Sequence, residues 1–250
     1  MAHARAINAC FPTGLPYPGI AEHLLRAPPA LLGLAEEIDV DAPWRSLPLA
    51  VIDTETTGRD ASRGDRVVEL AVVHFRDGAV EARHALLVNP GVPIPAEASA
   101  VHGITDDKVR GEPPFEAVLP RVLTMLEGRI PVAYNAGFDR AFLFAEMRRA
   151  GRPVTRSAEG PPALRRSTDW LDPLVWARAL SPAARGFKLG EVAARLGVEL
   201  AQAHRATDDA EAAGNVFYAL LAGEPTLTYR ALVSRQRGYI AGGLGRTWRR

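Results

Sequence analysis

Cysteine, lysine and long apolar runs are all scarce in this chain of 250 residues. The single cysteine, Cys10, excludes an internal disulfide framework. No apolar run approaches the roughly 20 residues that a membrane-spanning helix needs. Prolines also interrupt the N-terminal residues, where a signal peptide needs a continuous apolar stretch. We therefore expect a cytoplasmic protein that has no membrane partner.

An excess of charge of either sign is also missing. The chain has 30 basic and 29 acidic side chains, so its formal net charge of +1 points to no class of partner. A hydrophobic content of 47% and a charged content of 24% are typical of an ordinary globular protein. The length allows one sizeable core with a small appendage.

The chain divides into three regions by composition. Residues 1–45 form an extension, rich in proline at first, in which apolar residues at helical spacing predict two short helices. Residues 46–222 carry the apolar patterns of a folded domain. Residues 223–250 read as a tail, in which six arginines stand against one acidic side chain.

The main domain begins with strand patterns and continues with helical ones. Apolar runs at 47–54, 66–75 and 80–90 predict an antiparallel meander, with a hairpin turn at Asp77 and Gly78. A short fourth strand is predicted at 129–135. Helices are predicted at 115–128, 138–151, 170–180, 189–197 and 206–223. This order predicts an α/β domain in which helices cover a mixed sheet.

The first predicted strand ends in acidic and hydroxyl side chains, in the sequence VIDTETTG. Asp53 and Glu55 lie two residues apart, so on an extended strand they point to the same face. Two carboxylates this close repel each other unless a positive charge lies between them. Oxygen ligands of this kind suit Mg²⁺ or Mn²⁺. The alternative is a turn capped by Asp53 beside a solvated Glu55.

Further acidic residues follow at the starts of two predicted helices. Asp139 lies just after the fourth strand, where the alternative role is to complement the N-terminus of a helix. Asp208 and Asp209 lie early in the last long helix of the domain, with His204 shortly before them. A solvated helix face is the alternative for this group.

Helical geometry separates the neighbouring aspartates by about 100°. Asp209 shares its face with the apolar residues that should pack on the sheet, which are Ala213, Val216, Phe217 and Leu220. Asp208 shares its face with smaller and more polar residues. We therefore expect Asp209 to face the carboxylates of the first strand.

In order along the chain, VIDTETTG, NAGFD and HRATDDA resemble the three exonuclease motifs of the DnaQ-like DEDD exonucleases. The stretches VHGIT and LDPLVWARAL…KLGEVAARLGV are similar to further parts of that family, so the resemblance covers residues 46–222. His204 stands five residues before Asp209, as in the histidine (DEDDh) branch. The overall resemblance is nearest to the bacterial proofreading type, the epsilon subunit of DNA polymerase III.

Two positions depart from the family pattern. Members often have histidine where this chain has Tyr134, and they usually have a small or apolar residue where it has Asp208. The family fold is ribonuclease-H-like, with a mixed central sheet flanked by helices and the first strand in its middle. The resemblance implies this fold here.

The resemblance also implies a hydrolase that removes nucleotides from a 3′ end. The ligands for two Mg²⁺ (or Mn²⁺) ions would be Asp53, Glu55, Asp139 and Asp209, and the general base would be His204. The residues that would contact substrate are Thr56, Thr57, His102, Asn135 and Phe138. Turn chemistry with Gly58 is the alternative for the two threonines, and helix packing is the alternative for Phe138.

The sequence leaves substrate and partner open. The 3′ end of single-stranded DNA is favoured, and an RNA-trimming exoribonuclease, an oligoribonuclease-like enzyme or a non-catalytic nucleic-acid-binding relative are alternatives. A DNA polymerase is a candidate partner, although a stand-alone nuclease is equally compatible. The arginines of 152–166 and of the tail either follow a phosphate backbone or are solvated. Oligomeric state is not fixed by the sequence.

Overall fold

Four strands form one mixed sheet in the computed structural model, which describes residues 38–152, 154, 160–200 and 205–244. The strands are β1 (Leu49–Thr56), β2 (Val67–Arg76), β3 (Ala79–Leu87) and β4 (Ile130–Val132). Their order is β3-β2-β1-β4, with β1 antiparallel to β2 and parallel to β4. The predicted meander, mixed sheet and interior first strand are confirmed.

A tight hairpin joins β2 to β3. Asp77 and Gly78 both have positive φ, of 53° and 84°. A two-residue turn of this kind matches the right-handed twist of the strands it connects. The predicted turn is therefore confirmed at these residues.

Eight α-helices accompany the sheet within the described residues. They are α1 (Ala96–His102), α2 (Asp106–Val109), α3 (Phe115–Leu126), α4 (Gly137–Arg149), α5 (Pro173–Leu180), α6 (Leu189–Leu196), α7 (Ala206–Leu220) and α8 (Tyr229–Ala241). The five helices predicted in the main domain correspond to α3 to α7. The short α1 and α2, together with α8, were not predicted. No described helix is long and apolar enough to cross a membrane.

The apolar run of β1 is buried on both faces. Ala50 and Ile52 belong to a cluster that includes buried residues of α3 and α4. Leu49 and Val51 point to the other face and share a cluster with Phe217 and other residues of α7. Burial on both faces explains why the strand is continuously apolar rather than alternating.

The helix α7 approaches β2 closely at Gly214. A Cβ at this glycine would lie 2.4 Å from Cε2 of Phe75, which is too close for any side chain. Glycine inside a helix costs roughly 0.5–1 kcal/mol. Here it lets α7 lie directly on the sheet, and this contact brings the first turn of α7 to the end of β1.

The core continues on both sides of the predicted 46–222 domain. Trp44, which is 1% exposed, donates from Nε1 to the carbonyl of Glu224 at 2.9 Å. In α8, Tyr229, Leu232 and Val233 are buried in the same cluster as the α7 face of β1. Residues 38–46 and 223–244 thus each contribute buried side chains to the same core. The two helices predicted in residues 1–45 fall on residues 1–37, outside the described residues.

The three arginines of α8 pair with acidic side chains. Arg230 lies 2.8 Å from Asp41, Arg235 lies 2.8 Å from Glu224, and Arg237 lies 2.5 Å from Asp169. Surface pairs of this kind, which remain partly open to solvent, contribute about 0–1 kcal/mol each. The pairs hold α8 to the domain, which differs from the solvated or phosphate-binding tail considered from the sequence. The remaining tail arginines lie outside the described residues.

Candidate active site

Three carboxylates converge where β1 meets the first turn of α7. Asp53, Glu55 and Asp209 each offer one oxygen, and these oxygens all lie within 4.8 Å of one another. The strand period of two puts Asp53 and Glu55 on the face that α7 covers. All three side chains are half-buried.

Packing of α7 selects which aspartate enters this cluster. Ala213 and Phe217 follow Asp209 at steps of four and are buried against the sheet. Asp208 instead lines a cavity of about 410 Å³ on another side of α7, together with Ala212 and Asn215. The structure therefore places Asp209, and not Asp208, beside the carboxylates of β1.

The fourth predicted ligand, Asp139, approaches from the other face of the sheet. It lies in the first turn of α4, is 2% exposed, and accepts a hydrogen bond from the Thr54 hydroxyl at 2.8 Å. Its charge raises the pKa of Asp53, so the two groups are close. Asp139 is nonetheless not one of the three carboxylates whose oxygens lie within 4.8 Å of one another.

Burial and mutual repulsion raise the pKa of the carboxylates that β1 brings to the cluster. Burial raises the pKa of Asp53 well above its usual range, and the charges of Asp139, Glu55 and Asp209 raise it further. Burial, followed by the Asp209 charge, raises the pKa of Glu55 to about 7. Burial also raises the pKa of Asp139 to about 7, although the hydrogen bond from Thr54 opposes the rise.

The donor set fits a hard divalent cation. Every influence found on Asp53 and on Glu55 raises the pKa, so a nearby positive charge would stabilise the ionised form of both carboxylates. The donors are all carboxylate oxygens, which suit Mg²⁺ or Mn²⁺. The arrangement is able to bind such ions and, through them, to act on a phosphate ester.

Comparison with known proteins places this site in a family. The model of the RNase_T exonuclease family matches residues 50–217. The chain belongs to this family. The resemblance to DnaQ-like exonucleases is thereby confirmed.

Curated relatives of the exonuclease-family chain are longer proteins. The 3′-5′ exonuclease DinG of Bacillus subtilis (strain 168) is 33% identical over 187 residues, which are 75% of this chain and 19% of that protein. A DNA polymerase III subunit epsilon-like protein of Rhodobacter capsulatus is 34% identical over 198 residues, 78% of this chain and 26% of that protein. The chain thus spans about a quarter of these relatives or less.

Solved structures share the fold. Exonuclease X in complex with 5′ overhanging duplex DNA superposes with a TM-score of 0.57 at 24% identity, over 74% of this chain and 98% of that one. E. coli Exonuclease I in complex with a dT13 oligonucleotide superposes with a TM-score of 0.58 at 19% identity, over 72% of this chain and 41% of that one. The predicted ribonuclease-H-like fold of the exonuclease domain is confirmed.

The hydroxyls of the two threonines after Glu55 form hydrogen bonds within the segment that connects β1 to β2. The Thr56 hydroxyl donates to the carbonyl of Gly58 at 2.5 Å, and the Thr57 hydroxyl accepts from the backbone N–H of Arg66 at 2.9 Å. Both side chains are buried. The Thr56 hydroxyl thus makes the turn contact with Gly58 that was the alternative, whereas the Thr57 hydroxyl binds Arg66, directly before β2.

Two of the other predicted substrate contacts are adjacent, because the Phe138 N–H donates to the Asn135 carbonyl at 2.9 Å. His102 is buried at the end of α1, where its Nδ1 accepts from the N–H of Ile104 at 3.1 Å. Phe138 packs on Phe142, with ring centroids 4.8 Å apart, as its alternative reading expected. Asn135 lies in the turn before α4, next to Asp139. The predicted base, His204, lies outside the described residues.

Sequence reasoning missed a fifth carboxylate, that of Glu69. It stands directly opposite Glu55 in the β1–β2 register, and its charge raises the pKa of both Asp53 and Glu55. Burial raises the pKa of Glu69 itself, and a hydrogen bond from the N–H of Ala206, at the start of α7, opposes this rise. An isolated acidic residue within the apolar run 66–75 was the feature of the sequence that could have indicated it. Asp172 and Gln236 were missed as well and are described below.

Proposed function

We propose that this exonuclease domain hydrolyses phosphodiester bonds at the 3′ end of a single-stranded nucleic acid, with DNA favoured. The observation that carries the proposal is the convergence of Asp53, Glu55 and Asp209 in a chain of an exonuclease family. The DinG relative is a 3′-5′ exonuclease by name, and Exonuclease I binds a dT13 oligonucleotide, which supports the same direction and substrate class.

Two Mg²⁺ (or Mn²⁺) ions are the proposed cofactors. Asp53, Glu55, Asp139 and Asp209 would hold them. When bound, such ions neutralise the carboxylates, acidify the attacking water and stabilise the leaving 3′ oxygen. The chain contributes the rigid placement of its carboxylates: β1 fixes Asp53 and Glu55, α7 carries Asp209, and the Thr54 hydroxyl fixes the orientation of Asp139.

His204 is the proposed general base, as the histidine branch of the family implies. A neutral imidazole has an unperturbed pKa near 6.5 and accepts a proton near neutral pH. It would take the proton of the attacking water. Substrate contacts are also proposed for Thr56, Thr57, His102, Asn135 and Phe138. Both threonine hydroxyls and the Thr57 N–H have partners within the protein, so a substrate contact from these groups would have to share or replace those hydrogen bonds.

The proposed setting is cytoplasmic DNA metabolism. Several of the relatives are parts of polymerases by name, such as the PolC-type DNA polymerase III of Clostridium perfringens, which is 31% identical over 166 residues. These residues are 66% of this chain and 11% of that protein. A polymerase is therefore a proposed partner, and a non-catalytic role is disfavoured because all four predicted ligand acids are present.

The proposal is tested by digesting 5′-labelled single-stranded DNA, double-stranded DNA and RNA with Mg²⁺. We expect a ladder of steadily shorter labelled DNA single strands, because 3′ removal leaves the label on the strand. Immediate release of a labelled mononucleotide would indicate the opposite direction, and faster loss of RNA would indicate the RNA-trimming alternative. The Asp53→Asn protein, purified in the same way, controls for contaminating nuclease, and no cleavage of any strand would refute the proposal.

Replacing His204 with alanine should lower kcat by about 10²- to 10⁴-fold, the usual contribution of a general base. Protonation of the imidazole removes the base, so wild-type activity should fall as the pH drops through the histidine pKa. The variant should lack this acid limb. The profiles should be measured at saturating Mg²⁺, because protons also compete with metal for carboxylates whose pKa is about 7. Equal kcat at every pH would show that His204 has no such role.

A further inference from the structure

One buried carboxylate outside the metal cluster joins two elements of the site. Asp172 is 7% exposed and lies immediately before α5. Its Oδ1 accepts from the N–H groups of Asn135 at 2.9 Å and Leu174 at 3.0 Å, and its Oδ2 accepts from the N–H of Ala136 at 3.1 Å. Asp172 therefore caps its own helix and also binds the turn that connects β4 to α4.

This turn has the backbone conformation of an anion site. Asn135 has a left-handed φ of 66°, which residues other than glycine seldom adopt, and Ala136 is right-handed at φ −49° and ψ −24°. Successive N–H groups in such a pair form a concavity that binds anions. The Asp172 carboxylate fills it. Because α4 has no side-chain cap of its own, Asp172 supplies the negative charge at the helix start from which Asp139 projects.

A side chain from the C-terminal helix holds Asp172 in turn. Gln236 of α8 is 3% exposed. Its Oε1 accepts from the N–H of Asp172 at 2.8 Å and from Nε1 of Trp176 at 3.1 Å. Its Nε2 donates to the carbonyl of Trp170 at 2.8 Å. Both ends of the amide thus bind the segment that carries Asp172.

From these contacts we infer that Asp172 and Gln236 are positioning residues for the metal ligand Asp139. Gln236 fixes the segment around Asp172, the Asp172 carboxylate fixes the Asn135–Ala136 turn, and this turn fixes Asp139 relative to β1. The inference rests on the proposed function, because it assigns Asp139 to the metal site. Through Gln236, the helix α8 would then contribute to the geometry of the active site.

The variants Asp172→Asn and Gln236→Leu test this inference, with Thr228→Ala as the matched control. Asparagine keeps the Oδ1 acceptor but turns an NH₂ group toward the N–H of Ala136 and removes the charge. Leucine is similar in size to glutamine but lacks both the acceptor and the donor of the amide. Thr228 caps α8 by accepting from the N–H of Ala231 at 3.2 Å, so its loss loosens α8 without touching Asp172.

We expect the first two variants to lower kcat, or to raise the Mg²⁺ concentration for half-maximal activity, by about 10- to 100-fold, as is usual for groups that orient metal ligands. The KM for a single-stranded oligonucleotide should stay within about twofold, because the loss lies in the metal site and not in uniform substrate binding. Thr228→Ala should keep wild-type kcat and Mg²⁺ dependence. Wild-type values in Asp172→Asn, or an equal loss in Thr228→Ala, would overturn the inference.

Amide hydrogen exchange gives a second readout that needs no activity. In Asp172→Asn and Gln236→Leu the N–H groups of Asn135 and Ala136 should exchange faster than in the wild type, while those of β2 stay protected. In Thr228→Ala the faster exchange should be confined to α8. Unchanged protection at Asn135 and Ala136 would overturn the inference. If the wild type cleaves no substrate, the proposed function fails, and the exchange comparison still decides whether Asp172 and Gln236 hold the turn.

Discussion

Replacing Asp209 with alanine should lower kcat by about 10³-fold or more, whereas Asp208→Ala should change it by less than about threefold. Metal ions contribute several kcal/mol of transition-state stabilisation, and each 1.36 kcal/mol corresponds to a factor of ten in rate. Asp209 lies in the three-carboxylate cluster, while Asp208 lines a cavity on another side of α7. The two variants remove the same group from adjacent positions of one helical turn, so each controls for the other.

Single-turnover digestion of labelled DNA at saturating Mg²⁺ measures both effects. Circular dichroism must show that both variants keep the helical content of the wild type. Losses in the opposite order would mean that α7 is rotated relative to β1 from the packing described here. Equal and large losses would mean that the second aspartate also serves the reaction.

Replacing Asp53 with asparagine should remove turnover and at the same time raise the melting temperature of the metal-free protein at pH 8. The loss of turnover should again be about 10³-fold or more, because a proposed metal ligand is removed. The gain in stability follows from the raised pKa of Asp53 in the folded state. The folded protein holds this proton more tightly than the unfolded chain does, so the free energy of unfolding falls as the pH rises from about 4 through the folded pKa.

Thermal melts in EDTA at pH 5 and pH 8 measure this second effect. The asparagine variant should have the higher melting temperature at pH 8, and the difference should shrink at pH 5, because the raised pKa of Asp53 favours its protonated form as the pH falls. Glu127→Gln, which removes an exposed carboxylate, should show no such pH-dependent gain. A variant that is less stable than the wild type at pH 8 would show that the carboxylates are compensated within the protein. Such trade-offs between stability and activity are common at functional sites.

The local parts of the site could be predicted from the sequence. The position of Asp53 and Glu55 follows from a strand period of two, and the hairpin follows from its Asp-Gly pair. The choice of Asp209 over Asp208 follows from helical periodicity, because the apolar residues at steps of three and four fix which side of α7 meets the sheet. Each of these inferences needs only residues that are neighbours in sequence.

The contacts that cross the chain could not be predicted in this way. Asp172 binds N–H groups 36 and 37 residues earlier, and Gln236 binds the N–H of a residue 64 positions away. The local pattern around Asp172 indicates only a helix cap. Glu69 joins the cluster because β2 pairs with β1 in one particular register, and a strand pattern alone does not fix a register.

The helix α8 was missed for a different reason. Its buried residues Tyr229, Leu232, Val233 and Gln236 recur at helical steps of three and four. Arginine, serine and glutamine between them dilute this pattern, and the six arginines from Glu224 onward suggested a basic tail. Three of those arginines instead pair with acids. These three charges are thus paired within the fold, and composition alone could not reveal this.

We propose that the carboxylates of β1, α4 and α7 act on nucleic acid through divalent metal ions. Digestion of 5′-labelled single-stranded DNA with Mg²⁺, with excess EDTA, and with Mg²⁺ restored after EDTA tests this proposal most directly. We expect stepwise shortening from the 3′ end with Mg²⁺, an intact strand in EDTA, and recovery of shortening when Mg²⁺ is restored. Undiminished shortening in EDTA would contradict it.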